Sequence, residues 1–578
     1  MSTGTQHLPD RSAAIAAGPP LSEEPGLGTL TLPGFLREVT ELYRDRTALS
    51  SPADGLAWTY TELWDQALAV ARALRACGVG KDSRVGVLMT NRAEWLAAVF
   101  GTSLAGGVAV ALSTFSTGPE LDHLLRVSGV SVLLFERTVA KADFGAVLTG
   151  LEPRLASGTP GRIDSGAYPF LRYVAVVGDP PPVGAIESWD AFLTRAADTD
   201  PALIEAAAAT VRPSDTAVLF FSSGTTSKPK GIRSAHRGVT IQMWRFRRMF
   251  GFGPDDDVRC WTANGFFWSG NFAQALGATL AAGGTLILQS LFDAAGALEL
   301  MQSQRVTFPV AWPHQHAQLQ SAANWVSADL SSLRFVDRDL PLATHPTIDT
   351  EWTEPGHAYG NTETFTITTC FPACTPEKVI AGSSGMPLPG VTVKVADPLT
   401  GAVLARGESG EICIKGPTLM LGYLGTPLDE TLDEDGYFHT GDGGYLDEAD
   451  RLYWEGRLTD IIKTGGANVS PLEVDEILSH YPGIKIGRTV GVPHETLGEM
   501  VVACVVPHAG RALDAREIRD HLRAQLASYK VPREILFFTE DDLALTGSAK
   551  IKSGDLRLLA AQRLAAAADQ HKPHIGGV

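Results

Sequence analysis

Apolar and polar positions along the first two-thirds of the chain alternate between two periods. Thr59-x-x-Glu62 has the spacing of a helix capping box. Behind it Leu63, Ala67, Val70, Ala71 and Leu74 line one helical face, and Gly78 suits the cap at the far end. Val85–Met89 predicts a strand, Asn91-x-x-Glu94 opens a second helix to about Ser103, and Val108–Leu112 predicts the next strand. Short apolar runs recur at Ser131–Phe135, Tyr173–Val177, Thr216–Phe221 and Thr285–Leu288. Strands separated by helices imply parallel units with both sheet faces covered. Residues 30–390 therefore read as doubly wound α/β layers.

After Pro389-Gly390 the texture becomes β-rich, with Val391–Val395, Gly410–Lys415 and a hairpin-like Gly444–Tyr453. From Asp460 onward Pro471–Leu478, Ala515–Leu526 and Gly554–Ala566 predict helices, with strands at Thr489–Val492 and Val501–Val506. The expected organisation is an α/β fold in three parts. Residues 1–28 form a mobile Pro/Gly/Ser/Ala-biased tail. Residues 29–457 form a large N-terminal domain whose β-rich subdomain spans about 390–457. Residues 458–578 form a small α+β C-terminal lid, with the boundary at Arg457–Asp460.

Composition narrows the class. A chain of 578 residues exceeds one ordinary core. Its 44% apolar and 20% charged residues describe a soluble globular protein. A net charge of −17 argues against a general nucleic-acid binder while leaving room for a local basic funnel. Six scattered cysteines make no disulfide framework, and a reducing cytoplasm is expected. The first residues lack a basic stretch followed by an apolar one, so no signal peptide is read there. Trp95–Leu112 is broken by Gly, Ser and Thr, and reads as a buried helix entering a strand.

The densest chemistry follows Thr216–Phe221. Ser222-Ser223-Gly224-Thr225-Thr226 and then Ser227-Lys228-Pro229-Lys230-Gly231 supply hydroxyls, glycines and lysines suited to a polyphosphate. The stretch is not a Walker loop, because Pro229 and Gly231 stand where that pattern needs Gly and then Ser or Thr. Taken alone it equally describes a polar turn after a buried strand. Downstream come Tyr359-Gly360-Asn361-Thr362-Glu363, Tyr437-Phe438-His439-Thr440-Gly441-Asp442 and Gly456-Arg457-Leu458-Thr459-Asp460. Gly465-Gly466-Ala467-Asn468-Val469-Ser470-Pro471 and Thr546-Gly547-Ser548-Ala549-Lys550-Ile551 complete the series. In this order the motifs resemble those of the adenylate-forming superfamily of acyl-CoA synthetases, stand-alone adenylation domains and luciferases, over about residues 30–560.

The resemblance implies a role for each motif. The loop residues Ser222, Ser223, Gly224, Thr225, Thr226 and Lys230 would cradle the ATP phosphates. Within the Tyr359-Gly360-Asn361 segment Tyr359 would stack on adenine, Thr362 would bond the α-phosphate, and Glu363 would hold Mg2+. Asp442 would accept the ribose hydroxyls and Arg457 would donate to the same sugar. Lys550 would stabilise charge in adenylation. Thr459, where relatives carry Asp or Lys, or its neighbour Asp460, would act as hinge. Gly465 and Gly466 would pass the pantetheine arm of CoA. Phe267, Trp268 and Trp312 would line the acyl pocket, favouring an aryl or medium-chain acid.

In one place the chain departs from its relatives. Where they carry a small Gly-Gly-Ala-type loop, this chain has VDRDLPLATHPTIDTEWTEPGHA after Phe335. The expected activity is an AMP-forming acid–CoA ligase acting on a small-molecule acid with ATP, CoA and Mg2+, without nucleic acid or a membrane span. The alternatives are loading of a carrier protein or amine, activation of a non-carboxylate oxyanion, and a non-catalytic nucleotide- or acyl-binding protein.

Overall fold

A computed structural model describes residues 12–178, 184–222, 229–460, 462–464, 467–494, 497–526, 530–542 and 553–570. The capping box forms as its spacing predicts. Thr59 Oγ1 accepts from Glu62 N at 3.1 Å, and Glu62 Oε2 accepts from Thr59 N at 2.7 Å. The helix Tyr60–Ala76 follows, and Gly78 beyond its end takes φ +83°. Asn91 behaves differently from its expected capping role. Helix Ala93–Leu104 begins after Arg92 without a side-chain cap. Asn91 is instead buried, donating to Asn264 O at 2.7 Å and accepting from Phe266 N at 3.0 Å. A buried amide needs both kinds of partner, and a distant loop supplies them better than its own helix.

Two compact units divide the chain. The larger takes residues 17–392 and 414–438. Its seven-stranded sheet runs Ile186–Ser188, Tyr173–Val177, Val132–Glu136, Arg84–Leu88, Val108–Ala111, Thr216–Ser222 and Lys230–Ala235. All pairs are parallel except the last. Leu88, Val110, Leu133, Val174 and Leu219 share the core on this sheet. A five-stranded sheet runs Phe308–Val310, Arg259–Thr262, Thr285–Leu288, Thr47–Ser51 and Leu56–Thr59. A three-stranded antiparallel sheet holds Tyr359–Asn361, Thr366–Cys370 and Met386–Pro387.

The other unit takes residues 12–16, 393–413 and the described residues from 439 onward. One sheet runs Ile15–Ala17, Thr392–Ala396, Gly410–Lys415, Phe438–Leu446 and Leu452–Arg457. The second is built on the long antiparallel pair Ile484–His494 and Gly498–Pro507. Val501, Ala503 and Val505 pack there with Val474, Leu478, Ile518 and Leu522. The β-rich strands are grouped with the C-terminal residues in this unit. Helix Pro471–Ser479 lies on strand Leu452–Arg457, and Ser470 Oγ donates to Glu455 O.

Residues 12–28, expected to belong to a mobile tail, are engaged. Ile15–Ala17 is a strand, and Ala14 and Ala16 are buried. The Glu24 side chain is fully buried against Arg245, with Arg245 Nε 3.0 Å from Glu24 Oε2 and Arg248 Nη2 3.0 Å from Oε1. Composition could not reveal this, because a partner 221 positions away decides it. Removing one member leaves a buried charge uncompensated, at a cost of about 3–5 kcal/mol. Glu24→Leu should therefore lower the Tm of the full chain by several degrees. An unchanged melting curve would show that the pair does not hold this segment.

Candidate active site

The strand Thr216–Ser222 is answered by the antiparallel strand Lys230–Ala235, with Ser222 and Lys230 as register partners. Return by a strand, not a helix, agrees with the exclusion of a Walker loop. Ser223, Gly224, Thr225 and Thr226 lie outside the described residues, as does the side chain of Ser222. Lys230 is exposed, and its Nζ stands 5.0 Å from the ring centroid of Tyr423. Leu424 N donates to Gly231 O at 2.8 Å. A Cβ on Gly231 would come within 2.6 Å of Leu424 Cδ1, so any larger residue there would make that side chain shift.

The second motif is a tight turn. Tyr359 is buried, and its carbonyl accepts from Thr368 Oγ1 at 3.0 Å. A Cβ on Gly360 would fall 1.7 Å from Thr366 O. Asn361 Oδ1 accepts from Thr364 N, and Thr364 Oγ1 accepts from Asn361 N, both at 3.0 Å. Thr362 and Glu363 sit half-buried at the apex. The chain then passes through Phe365 at φ +48° and Thr366 at φ +78°, which is costly for an aromatic and a β-branched residue. Gln242 supports this strained exit, its Nε2 donating to Phe365 O at 2.8 Å and Ile367 O at 2.7 Å. Gln242 is fully buried and in turn accepts from Arg245 Nη1 at 3.3 Å. Glu363 is held twice: Met420 N donates to its carbonyl at 2.7 Å and Tyr423 Oη to its Oε1 at 2.9 Å.

The expected acyl-pocket residues come together. Ring centroids of Phe267 and Trp268 lie 5.5 Å apart, and those of Trp268 and Trp312 lie 6.3 Å apart. Phe267 is buried while both tryptophans are half-buried. Exposed Phe115, from the loop after Val108–Ala111, meets Phe267 edge-on at 5.9 Å. The contacts of Asn91 with Asn264 and Phe266 fix the peptide leading to Phe267, and a π-helical turn, Phe272–Gly277, follows it. The segment after Phe335 is tethered to itself. Arg338 N donates to Trp352 O at 2.9 Å and Glu354 N to Asp337 Oδ2 at 2.8 Å. With Cys374 and Glu377 it borders a polar cavity of about 480 Å3.

The other unit carries the remaining motifs. Asp442 and Arg457 are register partners on paired strands, with Arg457 Nε 3.0 Å from Asp442 Oδ1. Thr440 braces both, its Oγ1 accepting from Asp442 N at 3.1 Å and its carbonyl from Arg457 Nη1 at 2.8 Å. Glu411 steadies the same loop, accepting from Gly441 N at 3.0 Å and pairing with His439 Nδ1 at 2.7 Å. Thr459 and Asp460 follow in a turn, where Asp460 Oδ2 accepts from Ser553 Oγ at 3.2 Å. Gly465, Gly466 and Lys550 lie outside the described residues.

Gln242, Glu411 and Tyr423 escaped the sequence reading, and Asn91 entered it only as a helix start, because each acts through a partner far along the chain. Only Gln242 left a signal, as a polar residue inside a helix whose neighbours Val239, Ile241, Met243 and Phe246 are buried.

The family model for AMP-binding enzymes matches residues 36–424, and that for the AMP-binding enzyme C-terminal domain matches residues 473–550. The chain belongs to the AMP-binding enzyme family. It is 33% identical over 511 residues to a feruloyl-CoA synthase of Amycolatopsis, covering 87% of this chain and 94% of that one. It is 31% identical to an indoleacetate–CoA ligase of Aromatoleum aromaticum, covering 90% of this chain and 96% of the other. Among solved structures, ATP-bound MatB from Rhodopseudomonas palustris superposes with a TM-score of 0.73 at 26% identity, covering 92% and 99% of the two chains.

This family member is an AMP-forming acid–CoA ligase: it activates a small-molecule acid with ATP and passes the acyl group to CoA. Among the described residues no helix is long and apolar enough to cross a membrane. The turn geometry makes a sharp demand on Gly360. Gly360→Ala should displace Thr362 and Glu363, and displacements of that size cost about a hundredfold in rate. Single-turnover adenylation would measure it, and activity within threefold of wild type would refute the packing argument.

Proposed function

We propose that the acid is an aryl or medium-chain carboxylic acid, with aryl acids preferred. The observation that carries this is the aromatic run Phe267–Trp268–Trp312, whose two half-buried tryptophans suit a flat apolar substrate. Relatives whose names specify feruloyl and indoleacetate substrates support it.

The reaction begins with two anions, carboxylate and triphosphate, that repel one another. Lys230, together with Ser222, Ser223, Gly224, Thr225 and Thr226, would offset and bind the phosphates, and the Thr362 hydroxyl would hold the α-phosphate. Tyr359 would stack on adenine, its turn kept by Gly360 and Asn361. In the other unit Asp442 would accept from the ribose hydroxyls, with Arg457 donating to the sugar.

Glu363 offers hard oxygen donors of the kind Mg2+ takes. Glu363 Oε2 has no hydrogen-bond partner among the described residues, while Oε1 is fixed by Tyr423. When bound, the ion would neutralise phosphate charge. The acid's carboxylate oxygen attacks the α-phosphorus, pyrophosphate leaves, and Lys550 stabilises the charge that develops there. The CoA thiolate then attacks the acyl carbonyl and AMP leaves. Gly465 and Gly466 would admit the pantetheine arm, and Thr459 or Asp460 would serve as hinge between the two steps. All six cysteines are free thiols, which supports a reducing, cytoplasmic setting.

Pyrophosphate release with Mg·ATP across aryl, short, medium and long acids, each with and without CoA, tests the substrate reading. Aryl acids should give the highest kcat/KM, with the matching thioester identified by mass spectrometry. Preference for a long-chain or amino acid would overturn the assignment. Release that accumulates adenylate without thioester would move the acceptor to a carrier protein or an amine. Lys550→Ala should slow adenylation by at least about a hundredfold, the scale of losing one transition-state donor. It should still convert supplied acyl-AMP and CoA to thioester. Near-normal adenylation would remove Lys550 from the proposed machinery.

A further inference from the structure

Tyr423 lies outside every motif named above, yet it touches both charged groups assigned to the Mg·ATP phosphates. Its hydroxyl donates to Glu363 Oε1 at 2.9 Å, and its ring carries the Lys230 ammonium 5.0 Å from the centroid. The backbone delivers it there from both sides. Tyr423 bridges to Ile232 and Leu424 N donates to Gly231 O at 2.8 Å, which ties it to the strand that begins at Lys230. Three residues earlier, Met420 N donates to the carbonyl of Glu363 at 2.7 Å.

We propose that Tyr423 is a positioning residue for adenylation, keeping the Glu363 carboxylate and the Lys230 ammonium apart and each presented to Mg·ATP. This rests on the reading of Glu363 as the metal-holding carboxylate and of Lys230 as a phosphate ligand. Both charges are held on one tyrosine, and a direct ion pair between them would neutralise the carboxylate meant for the metal and the cation meant for phosphate. The phenol prevents that in two ways. It occupies one carboxylate oxygen and fixes the direction of the other, as outer hydrogen bonds do for metal-ligating groups. Its ring face gives the ammonium a resting place that leaves its charge available.

The test measures metal binding rather than turnover. Mn2+ serves as a paramagnetic probe for the Mg2+ site, titrated by electron paramagnetic resonance into the full chain with ATP and without acid. Tyr423→Phe keeps the ring and loses only the hydroxyl. It should weaken Mn2+ binding about tenfold, the scale of one hydrogen bond to a charged group, at an unchanged Tm. In a Glu363→Gln background the same change should have no further effect, because Tyr423 acts through that carboxylate. Tyr423→Leu, which also removes the ring, should additionally raise the KM for ATP at saturating metal.

Wild-type affinity in Tyr423→Phe would overturn the proposal, as would an equal loss in the Glu363→Gln background. Wild-type Mn2+ affinity in Glu363→Gln would instead overturn the reading of Glu363 itself. Should Tyr423→Phe fail to fold, Glu363→Asp makes the same test. The shorter carboxylate keeps its charge but withdraws from the hydroxyl, and unchanged affinity there would sink the idea.

Discussion

The buried ion pair between Glu24 and Arg245 is the contact on which the larger unit's chemistry leans. Both side chains are fully buried, so their charges need partners, which they find in one another and, for Glu24, also in Arg248. Arg245 then donates to Gln242, and Gln242 donates to the carbonyls of Phe365 and Ile367. Those carbonyls flank Thr366, whose positive φ lets the turn at Thr362–Glu363 close. A polar line thus runs from the N-terminal segment to the apex of the turn. Backbone strain of this kind persists only where its surroundings over-determine it, and this line supplies the constraint.

A second constraint is the segment Met420–Leu424. It joins a strand of the seven-stranded sheet to the turn of the three-stranded one through Gly231, Ile232 and Glu363. The net charge of the chain is −17, yet an ATP-using enzyme must concentrate cations where the phosphates sit. Global charge says little here. What counts is that Lys230 rests on an aromatic face, where its charge stays available, while other lysines such as Lys81 are committed to carboxylates.

The proposed acyl side is governed by shape. Trp268 and Trp312 come from segments far apart in sequence and meet with Phe267 in one run of rings. Asn91 fixes the peptide that carries Phe267 and Trp268 by satisfying Asn264 and Phe266. The segment at 336–358 is tethered to itself by backbone and carboxylate hydrogen bonds.

Local physics made the elements legible in the sequence. The capping box at Thr59 and the buried strands at Tyr173–Val177 and Thr285–Leu288 follow from side-chain period and backbone chemistry, which neighbours in sequence decide. The order of the motifs was likewise enough to assign the chemistry to the AMP-binding enzymes. Legibility failed wherever a polar group's partner lay far along the chain. Glu24 looked like part of a tail, Asn91 like a helix cap, and Gln242 and Tyr423 carried no signal tied to chemistry. The grouping of the β-rich strands with the C-terminal residues also needed tertiary contacts such as that of Ser470 with Glu455. A buried polar atom must be satisfied by whatever the fold brings near it, and sequence proximity does not determine what that is.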